Sequence, residues 1–95
     1  MTQKQLNIIN AYFSKHPVLK AYLFGSEARG EAKEDSDIDI LVELDYEQKI
    51  GLGFIQMQFD LQELLARRVD LVSANGLSKY VQPIIDKEKK LIYAK

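Results

Sequence analysis

Two aspartates separated by one residue stand in an otherwise apolar segment of the chain. Asp37 and Asp39 alternate with Ile38, Ile40 and Val42. Successive side chains of a β-strand point to opposite faces, so the two acids share one face, roughly 6.6 Å apart along the chain. Two carboxylates on a half-buried strand repel each other unless a cation balances them. Their oxygens suit a divalent ion such as Mg²⁺, and the alternative is an edge strand with solvated acids.

A Gly25-Ser26 pair precedes these acids by ten intervening residues. Glycine has no Cβ and lets a ligand approach the backbone closely. Serine at the start of a short helix adds a hydroxyl beside unpaired N–H groups and the positive end of the helix dipole. Arg29, one turn later, could reach the same anion with its forked guanidinium. The pair alone is typical of a capped surface helix, but beside the acids it predicts a phosphate site.

A third acid, Asp70, interrupts the apolar run of residues 69–72. A third carboxylate would complete a two-metal site that activates a nucleophile and stabilises a leaving group. Asp70 is therefore the candidate for the third ligand. The alternative is an exposed residue at the start of a strand.

The elements that must position these residues follow from hydrophobic spacing. Helices are predicted at 2–14, from Ser26 as cap through Arg29 to a stop at Gly30, at 50–68, and after a turn at Asn75-Gly76. Strands are predicted at 20–24, 37–44, 69–72 and 91–94, with a charged loop at 31–36. This order predicts an α/β (α+β) sandwich in which a small mixed sheet packs against helices in a single domain, residues 1–95.

The two later helices have predicted apolar faces. The stripe of the third helix is Phe54, Met57, Leu61, Leu64 and Leu65, widened by Ile55 and Phe59. The anchors of the final helix are Val81, Ile84, Ile85 and Ile92, with Pro83 in its first turn.

Composition excludes several classes of protein. A net charge of −1 gives no general attraction to nucleic acid or to anionic membranes. The absence of cysteine excludes disulfides, thiolate metal sites and a cysteine nucleophile. No apolar run approaches the roughly 20 residues that span a bilayer, and no signal-peptide pattern follows Met1. We therefore expect a cytoplasmic protein.

The motifs taken together resemble a known family. Residues 25–30 (GSEARG) and 36–42 (SDIDILV), with Asp70 in a later apolar strand, are similar to the signature of the DNA polymerase β nucleotidyltransferase superfamily. More narrowly, they resemble the minimal nucleotidyltransferases, or MNT proteins. The resemblance covers nearly the full chain and implies a polymerase β-type nucleotidyltransferase fold.

The resemblance also implies roles for the site residues. Asp37, Asp39 and Asp70 would bind Mg²⁺ as catalytic residues, the last also helping to deprotonate the attacking hydroxyl. Gly25 and Ser26 would hold the phosphates of ATP or another NTP. A nucleoside monophosphate would pass to a hydroxyl, and pyrophosphate would leave. The neighbouring acid Glu27 departs from this logic, because it would oppose anion binding unless its side chain points away.

MNT proteins are commonly paired with a helical HEPN protein in toxin–antitoxin modules, where the MNT partner transfers AMP to a tyrosine of the toxin. The resemblance therefore implies a HEPN-type partner that supplies the acceptor, since no acceptor-binding domain is evident in this chain. Two alternatives stay open: an antitoxin that neutralises by contact without catalysis, and a nucleotidyltransferase acting on a small molecule. Homo- or hetero-oligomers are compatible with either.

Overall fold

A four-stranded sheet is the centre of the computed structural model, which describes residues 1–33 and 35–95. The strands are β1 (Val18–Phe24), β2 (Ile38–Leu44), β3 (Val69–Ser73) and β4 (Lys90–Ala94). Their order across the sheet is β3-β2-β1-β4. β1 is antiparallel to β2 and β4, whereas β2 and β3 are parallel. The predicted mixed sheet is confirmed, but β1 begins at Val18 rather than at residue 20, and β2 begins at Ile38 rather than at residue 37. Asp37, which was predicted to lie on this strand with Asp39, therefore precedes it.

In the described residues, four α-helices connect and cover the strands. They are α1 (Gln3–Phe13), α2 (Gly25–Arg29), α3 (Gly53–Leu65) and α4 (Gln82–Glu88), with a 3₁₀ turn at Ala74–Gly76. A capping box starts α1: the Thr2 hydroxyl accepts the Gln5 N–H, and the Gln5 side chain accepts the Thr2 N–H. No described helix is long and apolar enough to cross a membrane.

Two helix boundaries differ from the prediction. α3 spans Gly53–Leu65 rather than 50–68, because Gly51 (φ 47°) before it and Ala66 (φ 53°) after it take left-handed backbone conformations. α2 begins at Gly25 with Phe24 as its N-cap residue. The prediction of Ser26 as the cap was therefore wrong, although Gly30 does end the helix in the left-handed region. The predicted loop at 31–36 includes Glu34, which lies outside the described residues.

One face of the sheet packs against α1 and α3 to form the core. Its fully buried side chains include Ile9, Phe13, Ile38, Ile40, Val42, Met57 and Leu61. The apolar residues of β2 contribute from every second position, as the alternation of the sequence predicts. The core therefore fixes which face of β2 is left for its acids.

The predicted apolar faces of α3 and α4 were too broad. On α3 the buried residues are Met57, Leu61 and Leu65, which follow each other at intervals of four. Ile55, Phe59 and Leu64 are 50–54% exposed, because a helix lying across one sheet face buries only a narrow stripe. On α4 only Ile85 of the predicted anchors is buried; Val81 and Ile84 are exposed, and Ile92 belongs to β4.

The outer edge of β3 is bonded to side chains of α3. The Gln62 side-chain oxygen accepts the Val69 N–H, and the Gln58 oxygen accepts the Leu71 N–H, each at 3.1 Å. Edge strands otherwise present unpaired backbone groups. These two glutamines satisfy those donors and hold α3 along the edge.

Two leucines on α3 provide a matched test of this packing. Leu61→Ala removes a fully buried side chain, and we expect the free energy of unfolding to fall by about 2–5 kcal/mol. Leu64→Ala removes a half-exposed one and should change it by less than about 1 kcal/mol. Urea unfolding of both variants measures the difference, and equal effects would contradict the core assignment.

Candidate active site

Strand pairing brings two of the predicted acids together. Asp39 of β2 is paired with Asp70 of parallel β3, and with Phe24 of antiparallel β1 on its other side. Neighbouring strands lie about 4.8 Å apart, so the two carboxylates stand on adjacent positions of one sheet face. Asp39 is partly buried, whereas Asp70 is exposed. Gly25 and Ser26 follow directly after β1, and they therefore lie near the start of β2, where Asp39 is.

The electrostatics of this cluster are unfavourable for a negative charge on Asp39. Burial raises the pKa of the Asp39 carboxyl above its ordinary value, and the charges of Asp70 and Asp37 raise it further. Arg29 acts in the opposite direction, and Glu88 adds to the repulsion. A cation between these acids would relieve the repulsion, which is the physical basis for a metal site here.

Asp37, the other predicted metal ligand, is engaged elsewhere. Its Oδ1 lies 3.0 Å from Arg68 Nε; the Arg68 side chain is largely exposed and that of Asp37 about half exposed. In the described part of the chain, no three His, Cys, Asp or Glu side chains converge to form a ready-made metal-binding group. The donor set still fits Mg²⁺, because an exposed ion pair is worth only about 0–1 kcal/mol and can be exchanged.

Gly25 is the point at which the small-residue turn touches the acids. Its φ is 68°, which favours glycine. A Cβ on this residue would overlap Asp39 Oδ2 and lie 3.2 Å from Asp39 Cγ. The backbone of the turn therefore packs directly on a metal-ligand candidate, and only glycine permits that distance.

The structure places Arg29 among acids rather than alone. Its Nη1 donates to Glu88 Oε2 at 3.0 Å, and its Nε donates to Glu31 Oε2 at 3.2 Å. Ser26 lies in the first turn of α2, and no hydrogen bond of its hydroxyl is found within residues 1–33 and 35–95. Both side chains stay at the predicted phosphate site, but the arginine already has carboxylate partners.

Glu27 points away from that site. Its carboxylate is 4% exposed and contacts the amino group of Met1 at 3.2 Å and Arg67 Nη1 at 2.7 Å. Arg67 also donates to the Ser36 carbonyl at 2.6 Å, so it ties α2 to the segment before β2. Glu27 therefore does not oppose an anion at the turn.

Sequence reasoning missed Arg67 and Glu88 as parts of this region. Glu88 Oε1 accepts the Gly25 N–H at 2.9 Å across 63 residues of sequence, and Arg67 meets Glu27 from 40 residues away. Neither contact leaves a local pattern. The one signal in the sequence was the presence of charged residues at the ends of predicted helices.

A cavity of about 380 Å³ lies along the acid-bearing face of the sheet. Leu41 and Glu43 of β2, which alternate with Asp39, line it together with Tyr46, Asn75 and Gln82. Its size lies within the range of about 300–1,000 Å³ that is usual for small-molecule sites. Leu41 and Glu43 share a sheet face with Asp39, but neither the three acids nor the Gly25-Ser26 turn lines the cavity.

The fold and this arrangement define a nucleotidyltransferase of the polymerase β type. Residues 7–95 match the family described as Polymerase beta, Nucleotidyltransferase, and the chain belongs to that family. This confirms the assignment that the motifs at 25–30 and 36–42 predicted.

Individual proteins and solved structures are also similar to this chain. The chain is 44% identical over 66 residues to protein adenylyltransferase MntA of Thermococcus cleftensis, a match covering 70% of this chain and 66% of that protein. The chain thus spans about two thirds of that relative. Its fold is similar to a crystal structure of a toxin–antitoxin with AMP-PNP (TM-score 0.80, 24% identity, 95% of this chain and 73% of the other). It is also similar to a structure of a tri-AMPylated Shewanella oneidensis HEPN toxin in complex with an MNT antitoxin (TM-score 0.76, 23% identity, 100% and 74%).

Removing the Asp39 charge should stabilise the protein at neutral pH. The folded-state pKa of Asp39 is raised, so ionisation of this carboxyl destabilises the folded protein. The stability of the protonated form is fully present below the unfolded pKa of about 3.9 and is lost as pH rises through the folded-state pKa. Asp39→Asn mimics the protonated form at every pH. We expect a higher Tm than wild type at pH 7 in metal-free buffer, and a difference that vanishes near pH 3. A difference in Tm that does not change with pH would show that the charge of Asp39 does not destabilise the fold.

Two glycines with similar backbone angles test the contact between turn and acid. Gly25 (φ 68°) faces Asp39, whereas Gly30 (φ 72°) has nothing within 4 Å of an added Cβ. Each Gly→Ala change strains the backbone by about 1 kcal/mol. Gly25→Ala should lower the free energy of unfolding more than Gly30→Ala, as measured by urea titration, because Asp39 must also move. Equal losses would mean that the carboxylate moves freely.

Proposed function

We propose that this chain is a Mg²⁺-dependent nucleotidyltransferase that transfers AMP from ATP to a hydroxyl of a partner protein, as the antitoxin of a HEPN/MNT pair. The observation that carries the proposal is the pairing of Asp39 with Asp70 directly beside the Gly25-Ser26 turn. Carboxylates suited to a divalent ion and a turn suited to phosphates are the two parts that phosphoryl transfer needs.

Asp37, Asp39 and Asp70 are the residues that would hold Mg²⁺. When bound, the ion would neutralise charge on the triphosphate and lower the barrier to attack at the α-phosphorus. Ser26 would hold the β- and γ-phosphates through its backbone N–H and hydroxyl, and Gly25, whose own N–H donates to Glu88, would let them approach the backbone closely. Arg29 would contact the same phosphates after exchanging one of its carboxylate partners.

The proposed transfer exchanges one phosphorus–oxygen bond for another. The acceptor oxygen forms a bond to the α-phosphorus of ATP while the bond to the bridging oxygen of pyrophosphate breaks. Asp70, the most exposed of the paired acids, takes the proton from the acceptor hydroxyl. Pyrophosphate leaves with the electron pair, so charge and protons balance.

The partner and the adenine preference rest on the relatives. A similar protein carries the name protein adenylyltransferase, and a neighbour in fold is a complex of an AMPylated HEPN toxin with an MNT antitoxin. The net charge of −1 does not favour nucleic acid as the acceptor. A cytoplasmic location stays a prediction.

Radiolabel transfer tests the proposal. The protein is incubated with ATP labelled at the α-phosphate, Mg²⁺ and the product of the adjacent gene. We expect label on that partner, and a loss of at least about 100-fold in rate for Asp39→Asn, because Mg²⁺ would lose one of its ligands. Glu63→Gln, which removes an exposed acid from α3, serves as the control and should label like wild type.

The two alternatives give different results in the same experiment. Tight complex formation without label in wild type or in Asp39→Asn would favour an antitoxin that acts by contact. Label that appears on an added small hydroxyl compound but never on protein would favour a small-molecule nucleotidyltransferase. Either result would overturn transfer to a partner protein.

A further inference from the structure

One carboxylate joins the end of α4 to both ends of α2. Glu88 is the last residue of α4. Its Oε1 accepts a hydrogen bond from the Gly25 N–H at 2.9 Å, and its Oε2 accepts one from Arg29 Nη1 at 3.0 Å. The side chain is 22% exposed, so the two bonds are partly shielded from water. Their combined effect lowers the pKa of Glu88, the Gly25 N–H first and Arg29 second, which keeps the carboxylate ionised.

The Gly25 N–H is the first donor of α2 and has no partner within the helix. A helix of five residues cannot hold itself in place, because helices this short are unstable without tertiary contacts. Glu88 supplies such a contact at the residue whose backbone packs against Asp39. The orientation of the turn relative to the acids therefore depends on Glu88.

We propose that Glu88 is a positioning residue for the nucleotidyl transfer described above: it holds the Gly25-Ser26 turn against Asp39 and aims Arg29, so that a triphosphate meets a preformed surface. This inference rests on the proposed function. Glu88 acts through Gly25 and Arg29 and does not itself contact the nucleotide.

A carboxylate bonded to an N–H and a guanidinium could instead occupy the place of a phosphate and have to leave before ATP binds. The contacts favour positioning. Glu88 uses the N–H of Gly25, while the hydroxyl of Ser26 takes no part in the bond. Its own element is fixed by the buried Ile85, whose carbonyl accepts the Lys89 N–H at 2.8 Å. The two arrangements also predict opposite changes in affinity.

The test is the Kd of AMP-PNP with Mg²⁺, measured by calorimetry on the full chain. Glu88→Ala removes both bonds, and we expect the Kd to rise by about tenfold or more, as for loss of a charged hydrogen bond. Glu88→Gln keeps an acceptor for the Gly25 N–H, so its Kd should rise by less. The control is Glu31→Gln, which removes a charged partner of the same arginine and leaves the Gly25 N–H bond intact. Its Kd should stay within about twofold of the wild-type value.

A second measurement separates positioning from mere stability. Hydrogen exchange at the Gly25 amide should accelerate in Glu88→Ala and remain slow in Glu88→Gln and Glu31→Gln. If Glu88→Ala does not fold, Glu88→Gln decides: an affinity equal to wild type overturns the proposal. An unchanged Kd in folded Glu88→Ala also overturns it, and a lower Kd would show that Glu88 occupies the phosphate position.

Failure of the proposed function gives a different pattern. If the wild-type protein binds AMP-PNP but labels no partner, the proposed transfer to a partner protein is overturned. The Kd values of the Glu88 and Glu31 variants would still decide whether Glu88 positions the turn. Wild type that neither binds the nucleotide nor transfers it would overturn both proposals.

Discussion

Burial of Ile38, Ile40 and Val42 is the interaction on which the rest of the structure depends. All three are fully buried against α1 and α3. Each such side chain stabilises the fold by about 1.5–3 kcal/mol, and turning β2 over would expose all three in order to relieve the repulsion at Asp39 alone. The strand is thereby held with Asp39 on the open face. Burial of the opposite face of β2 therefore holds Asp39 beside the other acids despite their repulsion.

Around α2, charge is balanced by pairs that cross long stretches of sequence. Glu27 turns inward to Met1 and Arg67, while Glu88 and Glu31 meet Arg29. The acids near the turn are thus paired with fixed cations, whereas no salt bridge of Asp39 or Asp70 is found within residues 1–33 and 35–95, and Arg29 offsets only part of the burial and repulsion at Asp39. That contrast marks where an external cation would be favourable. It also explains why Glu27, though adjacent to Ser26, leaves the anion site open.

Alternation and spacing predicted the strands and the side of β2 on which Asp39 lies, since both depend on local periodicity. The pairing of Asp39 with Asp70 could not be read from the sequence, because register between strands is set by packing and by the α3 crossover. Helix ends were less predictable. Ala66 takes a left-handed conformation that its residue type does not signal, and Phe24 rather than Ser26 precedes the first helical residue.

The contacts that complete the site were beyond any sequence pattern. Glu88 reads as part of a charged, solvated run, and Arg67 as a cation at a helix end, until the fold brings each to α2. The roles of Asp37, Asp39, Asp70, Gly25, Ser26 and Arg29 remain predictions. The adjacency of Asp39, Asp70 and Gly25 is consistent with the chemistry that the motifs indicated.

The two glutamine bonds along β3 limit how this protein can associate with others. A strand arriving from a second molecule would need the outward N–H groups of Val69 and Leu71, and α3 already occupies both. Sheet extension is therefore blocked at that edge and is confined to β4, the short strand at the opposite side. Complexes at the β3 side must instead form through side chains, so their specificity comes from surface shape and charge and not from backbone pairing.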